Sequence, residues 1–382
     1  MAMLPPLKPG FHKWLCSGDQ IFPAVLEAID SAQKTIRLET YIFSGDPLGQ
    51  RFRDALIKAL QRGVKVQVLV DSFGSMTLPF GFWDPLVAAG GEARWFNPVF
   101  LKRLGFRDHR KMLVCDEETA FVGGFNFSIV YEGDGVSKGW YDLGLQIVSP
   151  LAVQLAAAFD EMFARADFQH KPFTRLRPSS AKRNVPIEDG QLLLTGPGRG
   201  RNPFTRALRS DLKQARTVQI IASYFLPTWA IRRDLMHIVR RGGAVQLLFP
   251  AKSDVMLSQL ACQSLYRRLL RAGVEIYEYQ PQILHAKLIM VDDAVYVGSS
   301  NLDPRSLHLN YELMVRFTGN QDLATEARDI FNRDLAHCQR IELEAWRKSR
   351  TWWRKFRQRW AYFILVRLDP YIARWQQKRM PN

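Results

Sequence analysis

The octapeptide His109-Arg110-Lys111-Met112-Leu113-Val114-Cys115-Asp116 returns 176 residues later as His285-Ala286-Lys287-Leu288-Ile289-Met290-Val291-Asp292. Both copies read His-x-Lys-x4-Asp. Each leads into glycine and asparagine, as Val122-Gly123-Gly124-Phe125-Asn126 and Val297-Gly298-Ser299-Ser300-Asn301. One match alone carries little, since a chain this long meets one by accident in roughly a few per cent of cases. Two copies with the same sequel mean an internal duplication. Such a chain is expected to fold as two like halves facing each other across a pseudo-twofold axis.

The repeat extends well beyond the motifs. A helix over Ile21–Ala32 and a strand over Thr35–Phe43 have counterparts in Phe204–Ala215 and Val218–Phe225, with Tyr41 and Tyr224 in matching places. Gln50–Arg62, closed by Gly63, and the strand Val64–Val70 match Ala230–Arg241, closed by Gly242 and Gly243, and Ala244–Phe249. The helices Leu151–Phe163 and Leu323–Leu335 share their apolar rhythm. Alternating strands and helices make each half an α/β unit, a mixed sheet flanked by helices. The expected organisation is a first half over 1–169, a Pro-, Ser-, Gly- and Arg-rich connector over 170–201, a second half over 202–339 and a tail over 340–382.

The motif chemistry suits a phosphate. On an extended chain, residues two apart share a face, so His109 and Lys111 point together, as do His285 and Lys287. Lysine brings a compact charge and three donors to phosphate oxygens, and Asn126 and Asn301 can add amide donors. Histidine supplies a nucleophilic nitrogen or a proton near neutral pH. In-line displacement at phosphorus needs an attacking group on one side and a proton donor behind the leaving oxygen, which two facing halves provide. One histidine would form a phosphohistidine while the other handles the proton. No metal or other cofactor is required, because the lysines and asparagines stabilise the charge. Each imidazole also needs an acceptor for its second nitrogen, and Asp142 and Glu312, each at the head of an apolar strand, are the candidates.

These paired motifs, with Glu39-Thr40-Tyr41-Ile42-Phe43, Arg62-Gly63-Val64-Lys65-Val66 and the exits Gly123–Ser128 and Gly298–Asp303, resemble the phospholipase D superfamily, and within it bacterial cardiolipin synthases. The resemblance covers residues 17–338. It implies phosphatidyl transfer through a covalent phosphohistidine, with His109, Lys111, Asn126, His285, Lys287 and Asn301 around one phosphate. By that resemblance and by order, His109 is the expected nucleophile and His285 the general acid and base. Asp116 and Asp292 complete the catalytic motifs, and the resemblance gives them the more structural role of bracing a turn. Phosphatidylglycerol is an implied substrate. A peripheral site on the cytoplasmic face of a bacterial inner membrane is the implied location. Most such synthases carry N-terminal membrane spans. Here Pro5, Pro6 and Pro9 interrupt any early apolar run, and no apolar stretch approaches the ~18 residues needed to cross a bilayer.

Composition adds a partner. The formal net charge of +16 calls for an anionic surface, either nucleic acid or an acidic membrane. Four scattered cysteines form no paired motif, which argues against a zinc site or a disulfide scaffold. The last 43 residues hold 12 Lys and Arg against three acidic residues, and five of the ten tryptophans. There Trp346, Trp353, Phe356, Trp360 and Phe363 recur at helical spacing as one stripe among bases, the pattern of a helix lying in an anionic phospholipid interface. The alternative is that this stripe packs on the globular body. Two apolar segments, Met76–Trp83 and Pro98–Phe106, either fold over the local core or rim a site for acyl chains. Three function classes remain open: phosphatidyl transfer between lipids, hydrolysis by the same site, and a nuclease or phosphodiesterase. Concentration of the basic excess outside the repeated unit favours lipid over nucleic acid.

Overall fold

The computed structural model describes residues 10–97, 106–166, 181–198, 200–349 and 351–368. The first half begins with strand β1 (Phe11–Leu15), helix α1 (Gly18–Ser31), β2 (Thr35–Thr40), α2 (Pro47–Gln61) and β3 (Lys65–Asp71). Then come α3 (Asp84–Ala88), β4 (Glu92–Phe96), β5 (Met112–Cys115), β6 (Thr119–Gly123), β7 (Gly144–Val148) and α4 (Leu151–Ala164). Its seven strands lie in the order β1-β7-β6-β5-β2-β3-β4. β2, β3 and β4 run parallel, and β5 turns back antiparallel to β2.

The second half opens earlier than expected. The connector is corrected in part: it holds a hairpin of β8 (Arg183–Ile187) and β9 (Gly190–Thr195), whose alternating apolar residues complete the second sheet. Next are α5 (Pro203–Leu212), β10 (Thr217–Ala222), α6 (Trp229–Arg240), β11 (Ala244–Pro250), α7 (Met256–Arg271) and β12 (Glu275–Tyr279). They are followed by β13 (Lys287–Val291), β14 (Ala294–Gly298), α8 (Pro304–His308), β15 (Glu312–Phe317), α9 (Gln321–Leu335) and β16 (Cys338–Arg340). The order β16-β12-β11-β10-β13-β14-β15-β9-β8 contains the first sheet's order strand for strand, with β9 in the place of β1. The fold is thus mixed α/β in two sheets flanked by helices, as the alternating pattern implies.

Local chemistry sets the helix ends. Asp46 caps α2 by accepting from Gly49 N at 3.0 Å, with Pro47 in the first turn. Gly63 and Gly242, at φ +89 and +87, take the left-handed turn that stops α2 and α6. Apolar residues of β6, β7, β14 and β15 meet α4 and α9 in one core shared by both halves, Phe159, Leu145, Val297, Leu313 and Phe331 among them. Burying each such side chain contributes roughly 1.5–3 kcal/mol, so this shared core holds the halves together. Outer cores sit under α1 and α2 in the first half and under α5, α6 and α7 in the second.

Asp116 and Asp292 take a bracing position. Both adopt a left-handed φ, +56 and +51. Asp116 carboxylate oxygens accept from Gln33 N, Lys34 N and Thr35 N at 2.7–2.8 Å, and Asp292 accepts from Arg216 N and Thr217 N. They fasten the turns that launch β2 and β10, at the far ends of β5 and β13 from the histidines.

The tail differs from a single helical stripe. Thr351 accepts from Arg354 N and restarts the chain, separating α10 (Leu343–Ser349) from α11 (Trp352–Phe363). Trp346 therefore leaves the register of the other aromatics. It is buried against Tyr266 of α7, ring centroids 4.9 Å apart, so its expected membrane contact is corrected to a core role. α11 packs on α7 through Gln358 and Ala361, while Trp352, Trp353, Phe356, Trp360 and Phe363 stay exposed. Packing on the body uses the other face of the helix. The loop Met76–Trp83 is likewise split: Phe82 and Trp83 are buried around Phe43, whereas Met76 and Phe80 are exposed. Phe100 lies outside the described residues. Among the described residues no helix is long and apolar enough to cross a membrane.

Candidate active site

The two motifs are delivered to one pocket by a reciprocal exchange of backbone hydrogen bonds. The extended residues before β5 pair with the approach to β15: His109 N donates to Tyr311 O at 2.9 Å, and Tyr311 N donates to Arg107 O at 2.9 Å. The mirror arrangement joins His285 N to Tyr141 O at 2.7 Å and Tyr141 N to Ile283 O at 2.9 Å. Asp142 and Glu312 follow directly after those tyrosines, so each carboxylate arrives beside the histidine of the other half.

The side chains complete the exchange. His109 Nδ1–H donates to Glu312 Oε2 at 3.0 Å, and His285 Nδ1–H donates to Asp142 Oδ2 at 2.7 Å. That fixes the tautomer and leaves each Nε2 lone pair for chemistry. Supports differ between the halves. Ser299 Oγ donates to Glu312 Oε2 at 2.6 Å, and Leu313 N donates back to Ser299 Oγ. In the first half the equivalent residue is Gly124, where an added Cβ would lie 2.3 Å from Asp142 Oδ1, so glycine makes room for the carboxylate.

Burial, with Lys111 and Lys287 nearby, pushes His109 down to about 4 despite the Glu312 carboxylate. Burial likewise lowers His285, and Lys287 adds to that. Both imidazoles are therefore neutral and unprotonated at Nε2 near pH 7. Lys111 Nζ donates to His109 O at 2.8 Å, and burial brings its ammonium down to about 7. Lys287 Nζ donates to His285 O at 2.5 Å and lies 3.4 Å from His285 Nε2, its ammonium also lowered by burial. Asp142 is held below the usual carboxylate range: burial pulls it up, but the His285 Nδ1–H, the Lys287 ammonium and Leu143 N together outweigh that.

The pocket has a volume of about 370 Å³, and both histidines and both asparagines line it. Asn126 Oδ1 accepts from Ile42 N at 3.1 Å and its Nδ2 donates to Tyr131 OH at 2.8 Å. Among the described residues Asn301 Oδ1 is buried without a hydrogen-bond partner. Lys111 and Lys287 lie buried against the histidine carbonyls and do not line this cavity, whereas Arg107 and Arg305 do. Guanidinium groups, neutral nucleophiles and amide groups around one cavity can take a phosphodiester and displace one of its oxygens.

Further residues enter here that sequence reasoning did not assign. The Tyr41 ring stands edge-on to His109 at 4.9 Å, and the Tyr131 and Trp140 rings flank His285 at 5.5 and 6.0 Å. Tyr224 OH donates to Asp254 at 2.6 Å on the pocket wall, and Arg107 pairs with Asp71 at 3.5 Å. The repeat marks Tyr41 and Tyr224 as equivalents, a signal that was available. Tyr131 follows Asn126 by five residues where the second half has Ser306 five after Asn301, so the repeat does not preserve it and nothing there points to it.

These pKa shifts have a pH consequence. An unfolded histidine binds its proton near pH 6.5, whereas His109 holds none until about pH 4. The unfolded state therefore takes up more protons in that window. Stability is full above pH 6.5 and declines as pH falls toward 4, by about 3 kcal/mol from this group. Urea unfolding at neutral and acid pH, for the wild type and His109→Gln, isolates the effect. Parallel pH dependences for the two proteins would contradict it.

Comparison with known proteins shows what the chain as a whole is similar to. A family model described as "Cardiolipin synthase, PLD-like domain" matches residues 25–165 and 208–335. Cardiolipin synthase B of Salmonella typhimurium is 32% identical over 377 residues, covering 96% of this chain and 90% of the relative. Cardiolipin synthase 1 of Bacillus anthracis is 33% identical over 349 residues, covering 88% and 68%. Among solved structures, phosphatidylserine synthase of Haemophilus influenzae shares the fold with a TM-score of 0.74 at 16% identity, covering 95% of this chain and 94% of that one.

Proposed function

Since this chain belongs to the cardiolipin synthase family of the phospholipase D superfamily and is a phosphatidyltransferase, we propose that it passes a phosphatidyl group between lipids through a phosphohistidine at a membrane surface. The supporting observation is the reciprocal clamping of both imidazoles, each by the other half's carboxylate, at one pocket. His109 Nε2 attacks phosphorus and the bond to the leaving glycerol oxygen breaks. His285, protonated at Nε2 once the anionic headgroup is bound, gives that oxygen its proton. In the second step His285 Nε2 takes the proton of the acceptor hydroxyl, whose oxygen attacks phosphorus as the N–P bond breaks. Lys111, Lys287, Asn126 and Asn301 hold the non-bridging oxygens. In this reading phosphatidylglycerol serves as donor and acceptor, and cardiolipin and glycerol are the products.

The test is incubation with labelled phosphatidylglycerol, alone and with phosphatidylethanolamine or glycerol. Cardiolipin or exchanged headgroup supports transfer. Phosphatidic acid as the sole product would make the protein a hydrolase, and cleavage of oligonucleotides with neither lipid product would make it a nuclease.

We assign membrane attachment to the exposed face of α11, and by family likeness a peripheral position on the cytoplasmic face of a bacterial inner membrane. Basic and aromatic residues on one exposed helix suit an anionic interface. Trp353→Ala with Trp360→Ala is expected to weaken binding to anionic vesicles while changing stability little. Trp346→Ala does the opposite, costing about 3–5 kcal/mol of stability through the cavity it leaves under α10. Vesicle cosedimentation and urea unfolding on both variants check this, and loss of vesicle binding by a stable Trp346→Ala protein would reverse the assignment.

A further inference from the structure

On the outer face of the second half, α6, α7 and α11 enclose a groove of about 560 Å³ that the transfer chemistry does not use. Six cations line it: Arg240 from α6, Arg267, Arg268 and Arg271 from α7, and Lys355 and Arg359 from α11. No carboxylate lines it, and among the described residues none of the six pairs with one. Arg267 and Arg271 stand four apart on one helix face, as do Lys355 and Arg359, so like charges are stacked against each other. Helix C-termini account for Arg240 and Arg271, which face the negative ends of α6 and α7. Lys355 and Arg359 lie within α11 and have no such reason. These exposed, unpaired cations from three helices make one concave positive surface that favours an anion.

The groove's position says which anion. α11 runs antiparallel to α7. Just beyond its C-terminal end Leu365 borders the catalytic pocket beside Ser258 of α7, and its N-terminal half meets the other end of α7 at the groove. From Ser258 to Arg271 the helical rise gives a separation of about 20 Å. Along that length α11 exposes Trp353, Phe356, Trp360 and Phe363. We propose that the groove binds the phosphates of anionic lipid headgroups, laying α11 along the bilayer interface with the catalytic pocket at its far end. This rests on the membrane reading above and deepens it by naming the headgroup site.

The test compares three full-length proteins on phosphatidylcholine vesicles with and without phosphatidylglycerol. They are the wild type, Arg267→Gln/Arg268→Gln/Arg271→Gln, and Lys34→Gln/Lys58→Gln/Lys65→Gln, which removes equal charge from exposed sites of the first half. Thermal melting verifies that both variants are folded. The groove variant is expected to lose about tenfold or more in affinity for the anionic vesicles, and the control about twofold at most. Equal losses would mean diffuse attraction and overturn the groove. Retained vesicle affinity in the groove variant, with binding of pyrophosphate or of an oligonucleotide lost instead, would overturn the lipid assignment. The readout is independent of turnover. A wild type that binds vesicles through the groove yet moves no phosphatidyl group would refute the transfer reading alone.

Discussion

His109→Gln is expected to lower kcat by roughly 10⁴-fold or more and to leave no phosphoenzyme, because the variant has no nucleophile. His285→Gln separates the two roles. With a natural lipid it loses a comparable factor, since the departing alkoxide has no proton donor. With an aryl phosphodiester, whose leaving group needs little protonation, the first step proceeds in this variant. The second step then stalls for want of a base to take the proton from alcohol or water. A phosphorylated peptide containing His109 should accumulate and survive at alkaline pH, where phosphohistidine persists. Phosphate trapped on His285 in the His109→Gln protein would exchange the two assignments.

Glu312→Gln and Asp142→Asn carry the second large effect. An amide keeps the volume but presents no carboxylate to Nδ1–H, so the imidazole loses both its tautomer and its compensating charge. A loss of about 10²–10⁴ in kcat with little change in KM is expected for each. The crossing of the halves gives a signature that a merely structural role would not: Glu312→Gln should abolish the downfield ring N–H resonance of His109 and spare that of His285, and Asp142→Asn the reverse. Each variant affecting the histidine of its own half would show the clamping to be local.

Much of the architecture was readable from the chain. Helix and strand positions followed from apolar periodicity and from glycine stops such as Gly63 and Gly242, because those signals act within one or two turns of backbone. The motif residues His109, Lys111, Asn126, His285, Lys287 and Asn301 stood out because duplication repeats chemistry that a core would not choose twice; of these, the two histidines and two asparagines line the pocket. The tail misled where a local break intervened. Heptad spacing joins Trp346 to Trp353, but Thr351 restarts the helix and Tyr266, 80 residues away in sequence, takes up the indole. Similarly β9 was hidden in a Pro- and Gly-rich connector, since its partner β15 lies more than a hundred residues downstream.

By itself the sequence determined that there are two equivalent halves, which side chains carry charge and nucleophilicity, and that a basic aromatic segment follows them. Only the tertiary structure decided which carboxylate serves which imidazole, which tail aromatics meet solvent, and that cations from three helices converge in one groove. The physical reason is range. Propensity and periodicity are properties of neighbouring residues, whereas Glu312 reaches His109 across 203 positions because two sheets share a core.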